Sequence, residues 1–495
     1  MFFKGMHLSS ELWYTSLVNM NVQLSSLDIA VLGVYAVLIV GVGLFMGRKV
    51  KNAGDFFSGG KKVPWWMGAV SSYMAMISSF VFIAHGGVAY SDGIVAIVVF
   101  WSCAFAVLAG TWVFASRWRK ARVDTPMEYL ERRYGAWVRQ FISWCGVAFR
   151  ILDNMVRLYT LGLMASVLVG VDVETGIWLG CAIVLVYTLA GGLWSVLVTD
   201  VIQCAILLGV SIVVLPLSLN AVGGIGALHA ALPGHFNPFN GHRGEFLFLA
   251  AYYAMVFIKY NANWAFIQRL ASVPTAKDAK KTSLLTAALF FAFPVVALLP
   301  AICARHLLPG INPEESYIRL CGQILPSGAM GLMVAAMLAA TLSTLASEFN
   351  VTSSVLAKDI YERLWRPGAS EREKLVFARL ATLGVAALVA LGASYVKALG
   401  GAFEVNKALM GLVGVPIVIP SVFGILWKRP NSKGAVLCVV LGVGFGIAAL
   451  FLKSLSWQVK TLMQMAVAFA GYFAGCLFKT SESEAKSREE LFSEL

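Results

Sequence analysis

Charge is scarce in this chain: Asp, Glu, Lys and Arg together make up 13% of its 495 residues, against 59% hydrophobic ones. That balance excludes a soluble globular domain and leaves a polytopic membrane protein. No CxxC, HExxH, Walker or GxSxG pattern occurs. No local motif therefore points to metal, phosphate or acyl-transfer chemistry, and an enzyme is not expected. Cysteines are few, and Cys103, Cys145, Cys181, Cys204, Cys438 and Cys476 fall in apolar runs, where they read as small apolar side chains. Cys303 and Cys321 flank a short connection in which a disulfide is chemically feasible. A cleavable signal peptide is also not evident: residues 1–26 mix polar and aromatic types, and the first apolar run carries on as a span.

What is present is apolar windows of about 20 residues. Thirteen are read, at 27–46, 64–86, 93–116, 137–169, 175–191, 196–217, 246–267, 283–303, 327–357, 375–396, 403–427, 434–452 and 459–478. The net charge of +13 would suit a nucleic-acid partner, but its placement argues against one. Basic residues gather at alternate connections, for example Arg48, Lys49, Lys51, Lys61 and Lys62, then Arg117, Arg119, Lys120, Arg122, Arg132 and Arg133, then Lys428, Arg429 and Lys433. By the positive-inside rule those connections are cytoplasmic, which predicts the N-terminus outside, the C-terminus inside and a lipid bilayer as surroundings. One transmembrane domain over 27–478 is expected, preceded by an extracytoplasmic segment, 1–26, and followed by a cytoplasmic tail, 479–495, too small for an output module.

Polar groups in hydrocarbon are costly and mark helix packing, a watery cavity or a ligand site. Ser78 and Ser79 sit mid-window, followed by Gly86-Gly87. That pattern is compatible with a broken helix offering carbonyls to a cation, or with small-residue packing. In the ninth window Ala340, Ser343, Thr344 and Ser347 recur at i, i+3, i+4, i+7 and so share one helix face. They suit either a hard cation or hydroxyls bonded back to their own helix. The remaining intramembrane charges are Asp153, Asp200, Lys259, Glu348, Glu404 and Lys407, with Arg150 and Arg157 spaced to pair with Asp153.

Together these segments resemble the sodium:solute symporter family, which includes sodium/glucose, proline, iodide and sialic acid transporters. The resemblance rests on Asp55-Phe56-Phe57-Ser58-Gly59-Gly60 with Pro64-Trp65-Trp66, on Tyr187-Thr188-Leu189-Ala190-Gly191-Gly192, and on Val198-Thr199-Asp200-Val201-Ile202-Gln203. It continues in Ile267-Gln268-Arg269, Ser343-Thr344-Leu345-Ala346-Ser347 with Phe349-Asn350, Asp359-Ile360-Tyr361, and Trp427-Lys428-Arg429. It implies an all-α integral membrane fold with a leucine-transporter-type inverted-repeat core, two interlocked five-helix halves with one helix before and two after. It further implies Na+ as the co-transported ion and a small-molecule solute as cargo, handled by a monomer.

Carried over residue by residue, the family's principal sodium site falls on the carbonyls of Met74, Ile77 and Ala340 and the hydroxyls of Ser343 and Thr344. The second sodium of some members falls on Asp200, Ser343 and Ser347, but Ala346 lacks a hydroxyl found there, so one sodium per cycle is expected. Substrate positions fall on Ser78, Val81, Phe100, Asp153, Lys259, Asn263 and Lys407. Met76, Phe80, Val81, Phe100 and Val256 stand where sugar carriers hold polar side chains, and apolar groups cannot bond a hexose. Two lysines over an apolar pocket favour an organic acid or amino acid. A sugar or polyol is the alternative cargo, and a symporter-like membrane sensor the alternative class.

Overall fold

A chain in hydrocarbon must bond its own backbone groups, and here it does so by helix alone: no strand occurs among the described residues. The structure is a computed structural model that describes residues 24–47, 61–121, 123, 126–188 and 193–495. Most of the expected N-terminal segment, the Asp55–Gly60 motif, the Leu189–Gly192 part of its neighbour, and Arg48, Lys49, Lys51 and Arg122 lie outside the described residues.

In chain order the elements are α1 (Ser26–Gly47), α2 (Trp65–Met74), α3 (Gly86–Asp92), α4 (Val95–Gly110), α5 (Pro126–Tyr134), α6 (Ala136–Val169), α7 (Val173–Thr188) and α8 (Leu193–Ala221). Then come α9 (Phe246–Asn261), α10 (Trp264–Ser272), α11 (Ala276–Leu307), α12 (Ser316–Ile324), α13 (Ala329–Val355) and α14 (Glu371–Ala393). The last five are α15 (Gly401–Leu409), α16 (Val415–Gly424), α17 (Ser432–Phe451), α18 (Trp457–Ala474) and α19 (Glu482–Glu494). Starts follow local chemistry. Ser370 and Glu373 form a capping box at the head of α14, and Thr275, Asn263 and Asn431 cap α11, α10 and α17.

Eight helical stretches among the described residues are long and apolar enough to cross a bilayer, or nine if Trp457–Leu477 is joined to α19. The expected count of thirteen is not reached on that measure. The other windows hold shorter helices, Ser26–Ile39, Val173–Leu185 and Phe246–Asn261, and the interrupted helix that begins at Trp65.

The stretch containing α13 has 78% of its apolar window buried, against 29% for the one containing α14. Thus α13 is the central post, packed on α1, α6, α8 and α14, while α14 turns Leu380, Leu383 and Leu391 outward. An apolar surface of that extent is stable only against lipid. The tail is more than a loose polar end. It folds back as α19, bent by 113° from Trp457–Leu477, and sets Glu494 and Glu489 on Arg132 and Lys428 at 3.1 and 3.8 Å. Nearby, buried Arg133 donates to the carbonyls of Gly424, Trp427 and Pro430 at 2.8 to 2.9 Å, pinning the turn between α16 and α17 to α5. Cys303 and Cys321, considered for a disulfide, are both free thiols.

Candidate functional site

The helix that starts at Trp65 loses its ladder after Met74. Met76 and Ile77 donate to carbonyls only three residues back, Tyr73 and Met74. The Ser79 amide leaves its own helix to donate to Thr341 Oγ1 of α13 at 2.8 Å, and Ser79 Oγ meets Thr160 Oγ1 of α6 at 2.9 Å. The break thus falls at 75–78, at the front edge of the predicted serine pair. Gly86-Gly87 is not the break: it lies in α3, where a Cβ on Gly87 would come within 3.3 Å of the Pro313–Glu314 backbone. The helix from Phe246 is broken as well, at Ala262–Asn263 between α9 and α10, so the first helix of each half of the core is interrupted at mid-span.

Of the predicted sodium residues, the structure draws three together. Thr344 Oγ1 is 2.8 Å from the Ala340 carbonyl and 3.4 Å from the Ile77 carbonyl on the broken segment. Met74 closes α2 and its carbonyl accepts from the Ile77 amide at 3.2 Å. Ser343, adjacent on α13, turns its hydroxyl to Asp200 at 3.3 Å. This oxygen set is uncharged and buried, the donor chemistry an alkali cation takes at a helix break.

Asp200 is already occupied. It accepts from Ser71 Oγ at 2.6 Å and faces Arg269 at 4.0 Å, and Arg269 Nε donates to the same Ser71 oxygen at 3.1 Å. Ser347 lies one turn along α13 and is only half-buried. Glu348 pairs with Arg150, whose guanidinium stacks 4.0 Å over Trp264.

Asp153, on α6, gathers residues from three elements. Arg157 donates to it at 2.8 Å, Asn406 of α15 at 3.2 Å, and the Lys259 ammonium of α9 stands 3.9 Å away. Three bases, Arg150, Arg157 and Lys259, are thus set against two acids, Asp153 and Glu348. Lys407 is engaged elsewhere. It pairs with Glu404 and lies 5.2 and 5.5 Å over the rings of Trp457 and Phe248, while Glu404 also accepts from Arg243 at 2.8 Å, and Arg243 pairs in turn with Asp92. Asn263 spends its side-chain oxygen capping α10, on the Phe266 amide at 3.0 Å.

Ser78, Val81 and Phe100 are all buried. Phe100 packs edge-on against His85, and Phe80 and Phe403 touch the same imidazole. At this end of the bundle, away from the basic connections, Glu314 accepts from the Ala402 amide at 2.6 Å and from the Tyr159 hydroxyl at 3.0 Å. Burial pushes the Glu314 carboxyl above its ordinary 4.5, more than those two bonds pull it down. Gly400 and Gly401 just before it have φ of +103° and +88°, values that side chains resist, which makes the entry to α15 a glycine turn. Sequence reasoning did not single out Arg243, Asn406, Thr160 or His85.

The model of the Sodium:solute symporter family matches residues 56–233 and 282–442. The sodium/glucose cotransporter of Vibrio parahaemolyticus is 28% identical over 481 residues, covering 89% of this chain and 88% of its own. The sodium/sialic acid symporter of Proteus mirabilis is 27% identical over 474 residues, covering 91% and 95%. A solved Na+-coupled sialic acid symporter, in a substrate-bound outward-open state, superposes with a TM-score of 0.79 at 25% identity, covering 92% of this chain and 99% of its own. The chain belongs to the sodium:solute symporter family. It has the leucine-transporter-type fold, and it is a sodium-coupled membrane transporter rather than an enzyme.

Proposed function

We propose that this chain imports a small organic acid or amino acid with sodium by alternating access. The observation that carries the reading is the buried group around Asp153, where three basic side chains meet two acidic ones. An uncompensated positive charge at membrane depth is costly, and an anionic cargo relieves it. Arg157 and Lys259 bind the carboxylate, Asp153, itself held by Asn406, positions those two bases, and Val81 and Phe100 wall the apolar body. One sodium binds at Met74, Ile77, Ala340, Ser343 and Thr344. Asp200 is committed to Arg269 and Ser71, which supports a single ion per cycle. Lys407, neutralised by Glu404, is left out of the cargo site.

The protein works as a monomer in the cytoplasmic membrane. The placement of Arg117, Arg119, Lys120, Arg132 and Arg133 supports a cytoplasmic C-terminus. Sodium-driven uptake into proteoliposomes, scanned over organic acids, amino acids and sugars, tests the cargo. Accumulation of neutral sugars alone would defeat the anionic reading. A sugar or polyol is the second reading, favoured by the sodium/glucose and sodium/myo-inositol cotransporters among the relatives. Against it stand Met76, Phe80, Val81 and Val256, which have no directional hydrogen bonds to give.

A further inference from the structure

His85 is buried in the π-helical turn Val81–His85, and its Nδ1 has no hydrogen-bond partner. Its surroundings explain why none is available. Phe80, Phe100 and Phe403 close on the imidazole edge-on, with ring centroids 5.5, 5.0 and 5.5 Å away, and none of the three has a polar atom to offer. Two of them, Phe80 and Phe100, are apolar replacements in the cargo pocket itself. The ring lies seven residues beyond Ser78, about 10 Å along the helix axis from the break. His85 thus carries a buried, unanswered Nδ1 inside an aromatic collar, on the stretch of helix that follows the break at 75–78.

Buried polar atoms without partners are rare because they forgo the solvation they had in water. A lone nitrogen in such a collar is satisfied only by something that enters. We infer that His85 is a specificity-determining residue that hydrogen-bonds a second polar group of the cargo, remote from its carboxylate. This rests on the anionic reading and narrows it to hydroxy- or amino-substituted carboxylates.

The test uses purified full-length protein in sodium buffer and two matched pairs of probes, butyrate against gamma-hydroxybutyrate and hexanoate against omega-hydroxyhexanoate. The readout is the ratio of the two affinities within each pair, measured by thermal shift or calorimetry. Wild type is expected to prefer the hydroxylated member of at least one pair by about tenfold, the order of one buried hydrogen bond. His85→Phe, which keeps the aromatic packing, should bring that ratio close to one, and His85→Gln, which can still hydrogen-bond, should restore part of it. No preference in wild type, or the same ratio in wild type and His85→Phe, overturns the assignment while leaving the anionic reading intact. No sodium-dependent binding of any of the four acids overturns the anionic reading, and the role of His85 with it.

Discussion

Thr344 and Ile77 stand 267 positions apart in the chain, yet the threonine hydroxyl reaches the isoleucine carbonyl at 3.4 Å. That contact joins the central post α13 to the unwound segment after α2. The proposed sodium residues lie on both sides of it.

Thr344→Ala should therefore raise the sodium concentration needed for half-maximal uptake by about tenfold or more, the order of one lost bond to a charged group. Ser343→Ala should do the same more mildly, since its hydroxyl is shared with Asp200. Full sodium dependence in the double variant would show that the ion binds elsewhere.

Asp200→Asn leaves Arg269 buried with its counter-charge gone. It is expected to cost about 3 kcal/mol of stability, read as a fall in thermal midpoint. The sodium Hill coefficient should stay near one in both wild type and variant. A wild-type value near two that drops in the variant would make Asp200 a second ion ligand instead.

The two lysines should part company. Lys259→Gln is expected to raise the apparent constant for an anionic cargo by about tenfold, because it removes the charge that exceeds the acids around Asp153. Lys407→Gln should mainly lower stability, and only modestly, since Glu404 keeps Arg243 as a partner. Equal effects of the two substitutions on the transport constant would place both lysines in the cargo site.

Glu314 supplies a pH dependence. Its folded carboxyl titrates above 4.5, so folding favours the protonated form. The stability this gives is complete below the unfolded value and is lost as pH rises through the folded one. Glu314→Gln cannot lose that proton, so its thermal midpoint should gain on wild type as pH is raised from below 4.5 to neutrality. A difference that does not change with pH would show that the carboxyl titrates normally.

How much of this was legible in the sequence depends on how locally each feature is encoded. The hydroxyl face of α13 was readable because helical period alone aligns Ala340, Ser343 and Thr344. The break near Ser78 was readable in kind but not in position, since its partner Thr341 comes from a helix far along the chain. Arg157 pairs with Asp153 across one helical turn and was visible. Lys259 and Asn406 approach the same carboxylate from separate helices and were not. Lys407 has a local partner, Glu404, within reach of helical spacing, but Arg243, which fixes that glutamate, sits in a distant connection and was not readable.

The oxygen set at Ile77, Ala340 and Thr344 contains no carboxylate, so a bound sodium keeps its full charge. With one sodium per cycle, cotransport of a single monoanion moves no net charge, and the chemical sodium gradient alone would drive uptake. Loaded with a zwitterion or a neutral solute, the protein carries one positive charge inward and draws on the membrane voltage as well. The current measured per molecule transported therefore reports the charge of the cargo before its identity is known.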